Sequence, residues 1–272
     1  RTRMMGDRSF GYDIENPEPG KDYIIDPLIY STYLGGSEND QSHGLEVDRS
    51  GCAYLVSHSG GGGFPTTPGA YSTDSHLGAY VTKMASNGSS IEYSTFLGTV
   101  HNYECDIHVK DGFAYVTGTT KSDDFPTTSG AFQRDIAGND GWRDLFVTKL
   151  DRTGSSLVYS TLMGGSQKDQ SFDICLDSGS NAVVCGRTHS SDFNVTPDAM
   201  DGTLSGSRDG FILKLNSDGS DLLYSSYIGG SGEDEALRCH VDENGHIFVT
   251  GWTLSQNFPV TSEAYDTEYN WG

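Results

Sequence analysis

The chain has 272 residues, with 38 acidic side chains against 17 lysines and arginines, a formal net charge of −21. A hydrophobic content of 35% beside 35 glycines is that of a globular chain rather than a disordered one. So acidic a body is repelled by nucleic-acid backbones and anionic membranes, and no apolar run reaches the ~18 residues of a membrane span.

The opening residues from Arg1 carry neither a basic n-region nor an apolar h-region, which reads as a processed chain or a fragment. Five cysteines (Cys52, Cys105, Cys175, Cys185, Cys239) leave at least one unpaired and form no CxxC. They are expected as small half-buried hydrophobes on strands. A Cys175–Cys185 bridge would have to cross its hairpin diagonally.

Self-similarity organises everything downstream. The segment Tyr30-Ser-Thr-Tyr-Leu-Gly-Gly36 returns from Tyr93, Tyr159 and Tyr224, starts spaced 63, 66 and 65 residues apart. FPTTPGAY (64–71) returns at 125–132, 193–200 and 258–265, and AYVTKM (79–84) at 145–150 and 210–215.

In chain order, each unit reads as four strands. Leu45–Asp48 alternates apolar and polar, turns at Arg49-Ser-Gly51 and returns as Ala53–Val56. The same hairpin recurs over 174–184, around Ser178-Gly179, and over 237–250, around Asp242–Gly245. Glycine, Asn and Asp there supply the left-handed residues that tight hairpins require. A third strand (Tyr80–Met84) meets a second turn at Asn87-Gly88, matched by Thr153-Gly154 and Asp218-Gly219. The YSTYLG segment is the fourth strand, rich in β-branched and aromatic residues. No window carries a sustained 3.6-residue apolar period, so the expected class is all-β.

Four short antiparallel strands per unit, stacked face to face, are the blade logic of a β-propeller. The order YSTYLGG, GLEVDRSGCAYLV, FPTTPGAY, AYVTKMASNG resembles the SBBP class of β-propeller repeat, over residues 24–272, and is similar to NHL-type repeats. That resemblance implies a secreted or cell-surface protein without an assigned activity. It also places Leu45–Asp48 on the axis and Tyr30–Leu34 on the rim. The expected fold is a propeller of four four-stranded blades of about 65 residues. Residues 1–23 form an N-terminal arm, and 24–272 form a single propeller domain.

Three complete blades (43–98, 106–165, 172–230) leave 236–265 as an inner hairpin and its FPVT loop. Two outer strands are then missing from the last blade. Tyr30–Leu34, with Ser9–Ile14 as a third strand, is expected to supply them, from the same chain or from a neighbouring subunit.

No GxSxG elbow, HExxH, Walker loop or CxxC is present. His108 and His240 occupy equivalent inner-strand places, with Glu46 and Cys175 as counterparts; facing an axis together, these four are a candidate transition-metal set, against the alternative of a polar channel lining. Asp40, Asp169 and Asp234, with Glu104 near the matching place, follow the GGS segments. They are candidate Ca²⁺ ligands or acceptors for loop N–H groups, and the second role is the expected one. Asn87 and Asn194 head glycosylation sequons. The loops Ser59–Gly63, His101–Glu104 and Asp135–Arg143, and the rings of Trp142, Trp252 and Trp271, depart from the repeat and are candidates for glycan stacking.

The expected function is a non-enzymatic extracellular or cell-surface structural module that self-assembles into filaments or tubes by terminal strand complementation. No cofactor is expected, and the partner is the chain itself. A glycan-binding or adhesive module is the alternative, and a hydrolase the third.

Overall fold

The computed structural model describes residues 2–4, 10–12, 30–74, 76–100, 105–138 and 143–270. Arg1–Tyr33 and Leu34–Gly272 form two units. In the first, β1 (Thr2–Met4) pairs antiparallel with β2 (Phe10–Tyr12), so part of the expected Ser9–Ile14 strand does form, with a local partner. Tyr30–Leu34, expected as a strand, is not in one, and Tyr33 is fully exposed. A strand is held by the main-chain bonds of a neighbour, and β-branched composition does not replace them.

The second unit is all-β, and no helix occurs among the described residues. Among the described residues its fourteen strands form four antiparallel sheets of four, four, four and two. Sheet one holds β3 (Asp40–Val47), β4 (Ala53–Ser59), β5 (Gly78–Met84) and β6 (Ile91–Gly98). Sheet two holds β7 (Asp106–Lys110), β8 (Phe113–Thr120), β9 (Asp144–Leu150) and β10 (Leu157–Met163). Sheet three holds β11 (Asp169–Leu176), β12 (Ala182–Thr188), β13 (Asp209–Leu215) and β14 (Leu222–Ile228). Sheet four is β15 (Asp234–Val241) and β16 (Ile247–Thr253) alone. In the complete sheets strand order follows chain order, as hairpin connections dictate.

Both faces of these sheets are apolar, and successive sheets stack to cover them. Tyr54, Val56 and Val81 of sheet one meet Ile107, Val116 and Phe146 of sheet two. Leu145, Val147 and Tyr159 of sheet two meet Ile174, Val184 and Phe211 of sheet three. Val183, Cys185 and Ile212 of sheet three meet Ala236, Val249 and Cys239 of sheet four. Adjacent residues thus serve opposite junctions: Val184 points back to sheet two while Val183 and Cys185 point forward, the period of two that a pleated strand imposes.

The turns follow the expected chemistry, with one shift. Gly51, Gly88, Gly154, Gly219 and Gly245 all adopt positive φ. In the third hairpin the left-handed residue is Ser180 (φ 64°) rather than Gly179. There the Asp177 carboxylate accepts the Asn181 N–H at 2.9 Å and holds the turn. Gly154 and Gly219 also make room for a neighbour, since a Cβ on them would overlap the rings of Tyr93 and Tyr159 from the preceding sheet.

Gly154→Ala is therefore expected to lower stability by more than the ~1–2 kcal/mol of a left-handed non-glycine residue, because ring overlap adds to it. Gly130→Ala, where an added methyl meets nothing within 4 Å, is the near-neutral control. Urea midpoints of the two variants check this, and equal midpoints would contradict the packing described.

Candidate functional site: an open fourth sheet

The Gly-Gly segments show what the recurrent aspartates do. Asp40, Asp169 and Asp234 each use Oδ2 to accept the N–H of a glycine four residues earlier, Gly36, Gly165 and Gly230, at 2.6, 2.8 and 2.8 Å. Asp169 also accepts the hydroxyls of Thr188 and Ser190, and Asp234 that of Ser255. The loop-tying role expected of these residues is the one the geometry displays; Glu104 lies outside the described residues. Asp169 and Asp144 are both buried, and Gly164 has no room for a Cβ between their carboxyls. Burial pushes Asp169 up to about 7, against the pull of its hydroxyl and N–H donors, and pushes Asp144 up to about 6.

The four residues placed on the axis come together only in part. Glu46 and His108 meet at 3.2 Å (Nδ1 to Oε2), and the same Glu46 oxygen accepts the Val109 N–H at 2.6 Å. Cys175 lies against Cys239, Sγ to Sγ 3.4 Å, and His240 is exposed. Glu46 reaches the sheet that follows it in sequence, and so does Cys175. A set of straps follows that spacing alone did not reveal. Glu46 bonds Val109 N–H, Asp106 bonds Ile174 N–H and Asp173 bonds Cys239 N–H, one carboxylate per junction.

The residues that do converge are the bulges. The registers of β3, β11 and β15 each slip by one residue, at His43, Phe172 and Leu237. These three, with Cys105 at the head of β7, line one cavity of about 270 Å³ together with Arg187, Glu235 and Arg238. All four sheets contribute to it. Of the tryptophans, Trp252 donates to Glu235 Oε2 at 3.0 Å and stacks beneath Arg208, so its ring is engaged within the fold. Trp142 and Trp271 lie outside the described residues. Asn87 and Asn194 are exposed.

The largest departure from the repeat is the edge of sheet four. In every complete sheet the FPTT segment clasps the fourth strand reciprocally. The Thr67, Thr128 and Thr196 N–H groups donate to the carbonyls of Ser94, Ser160 and Ser225, at 2.9, 2.9 and 3.1 Å. Those serines return their N–H to the threonine Oγ1 at 3.0, 3.1 and 3.1 Å. Five residues on, the Ser72, Gln133 and Asp201 carbonyls accept from Phe96, Leu162 and Tyr227. Thr261 and Asp266 hold the same places in the fourth unit, without a YST strand to clasp.

Beside β16 a cleft of about 540 Å³ lies over Ile212, Lys214, Tyr224 and Ile228. The equivalents of Ile212, Tyr224 and Ile228 one sheet earlier, Val147, Tyr159 and Met163, lie at the junction that sheet three covers. Phe248 is 57% exposed, where Tyr54 and Tyr115 at its place are buried. At the other end of the stack Leu45 is 64% exposed, where Ile107 and Ile174 are buried.

Comparison with known proteins finds no matching family model and no similar curated protein. No helix among the described residues is long and apolar enough to cross a membrane.

The Asp169 pair predicts a pH dependence. Its folded value lies above the ordinary one, so its contribution to stability is full below pH ~4 and is lost as the pH rises through about 7. Asp169→Asn should flatten the wild-type slope of unfolding free energy over that interval by on the order of a few kcal/mol. Parallel slopes in the two proteins, measured by urea unfolding at each pH, would contradict the assignment.

Proposed function

We propose that this chain is a non-enzymatic structural module of the SBBP-like propeller kind, extracellular or on a cell surface, whose fourth sheet is completed by the strand Tyr30–Gly36. The clasp carries the reading. Thr261 and Asp266 have the strand-holding groups and no strand, while Ser31 and Tyr33 have the strand sequence and no sheet. Added beside a third strand, the segment would bring Ser31 onto Thr261 and Tyr33 onto Asp266, by the pairing seen in the three complete sheets. Tyr33 would then be covered as Phe96, Leu162 and Tyr227 are.

Two sources of that strand are distinct outcomes. Supplied by its own chain, it turns the stack into a four-bladed ring in which the exposed Phe248 and Leu45 faces of sheets four and one cover each other. Supplied by a second copy, it makes a head-to-tail contact, which propagates into filaments or tubes when it does not close. A main-chain edge flanked by apolar side chains is chemistry for binding a strand, and that is what sets this reading above the glycan-binding and hydrolytic alternatives.

Hydrogen exchange combined with sedimentation velocity tests the proposal. Protection of residues 30–36 in a concentration-independent monomer indicates the ring. The same protection with oligomers that grow with concentration indicates assembly. A monomer in which 30–36 exchanges freely overturns both. Tyr33→Asp should abolish the protection in either case by placing a charge in a covered position.

The net charge of −21 sets a further expectation. Repulsion between copies is screened within about 8 Å at physiological salt, so added salt should raise oligomer yield. Indifference to salt in an oligomerising wild type would show that repulsion does not limit assembly.

A further inference from the structure

Three of the five cysteines gather at one place, the junction of sheets three and four. Asp173 and Cys185 are direct cross-strand partners on β11 and β12. Cys175 lies two residues along β11 and so shares their face. That face meets β15, from which Cys239 enters. A carboxylate oxygen of Asp173 and the Sγ atoms of Cys185 and Cys239 all lie within 4.8 Å of one another. The Cys175 Sγ is 3.4 Å from that of Cys239. All three thiols are free, and Val183, Ile212 and Val249 pack around them.

Nothing in the repeat asks for this. At the two earlier junctions the same places hold Gly44, Glu46 and Val56 against Ile107, then Asp106, His108 and Thr117 against Ile174. Sulfur is concentrated only where the outer strands of the next sheet are missing.

We propose that Cys175, Cys185, Cys239 and Asp173 form a zinc(II) site that ties β15 to sheet three. Tetrahedral zinc with Zn–S bonds of 2.3 Å sets its sulfurs roughly 3.8 Å apart. The Cys175–Cys239 separation of 3.4 Å and the Asp173, Cys185 and Cys239 atoms within 4.8 Å lie on either side of that value, and Cys175, outside that set of three, must turn its side chain inward to complete the shell. Three thiolates and one carboxylate suit a borderline-soft divalent ion, and the hydrophobic surround excludes competing water. Binding releases the thiol protons to solvent, and because the four ligands come from three strands, the ion stabilises their packing. The site stands on its own observations and does not depend on how the fourth sheet is completed.

The test uses the full chain, reduced and stripped with a chelator, then titrated with Zn²⁺ against a chromophoric competitor and separately with Co²⁺. The expected result is one ion per chain, thiolate-to-cobalt charge transfer with tetrahedral d–d bands, and a higher melting temperature. Cys239→Ser and Asp173→Asn should each weaken binding by more than the roughly 10–100-fold that follows loss of a second-shell partner. Cys52→Ser, in sheet one, should bind as wild type. The proposal is overturned if reduced wild type takes up no stoichiometric zinc, or if folded Cys239→Ser binds as tightly as wild type. It is equally overturned if the cobalt spectrum lacks the thiolate bands.

Discussion

A four-stranded sheet with apolar side chains on both faces has no stable existence alone, and most of this architecture follows from that constraint. Each face must be covered by another sheet, and a stack of such sheets has two ends unless it closes into a ring. The interior junctions meet the requirement fully, with Tyr54, Tyr115, Phe146 and Phe211 buried. At the ends the requirement is left open, which is why Leu45 and Phe248 are exposed where their counterparts are not. The exposed ends and the open edge of β16 are one feature seen from two sides.

Polar chemistry in the fold serves that stacking. Inner-strand carboxylates (Glu46, Asp106, Asp173) accept a main-chain N–H from the following sheet, fixing the register between sheets that apolar packing alone would leave free to slide. The Gly-Gly aspartates fix the crossing from one sheet to the next, and at Asp169 burial makes the carboxyl harder to ionise. The threonine clasp then fastens each outer strand. Three kinds of polar tie, each repeated from unit to unit, explain how so acidic a chain holds short sheets in order.

The thiol cluster is where repetition lapses. A repeat tolerates drift at positions that only fill space, and Cys239 and Cys185 alone would be ordinary examples of it. Their convergence with Cys175 and Asp173 depends on which face each strand turns to its neighbour, and periodicity within one strand does not say which neighbour that is.

The strands between residues 40 and 253 were legible unaided, because alternation, glycine turns and three landmarks in constant order are local properties that survive without context. Asp40, Asp169 and Asp234 were legible as loop ties for the same reason, since each reaches only four residues back to its glycine. The pairing of Glu46 with His108, the contact of Cys175 with Cys239, and the meeting of three bulges in one cavity were not legible. They join residues about 60 or more positions apart, and the sheet-to-sheet rotation that brings them together is set by packing. Tyr30–Leu34 makes the division plain: its composition is that of a strand, and it forms none. Local sequence specifies the capacity to pair, and only the tertiary structure decides whether a partner edge stands beside it.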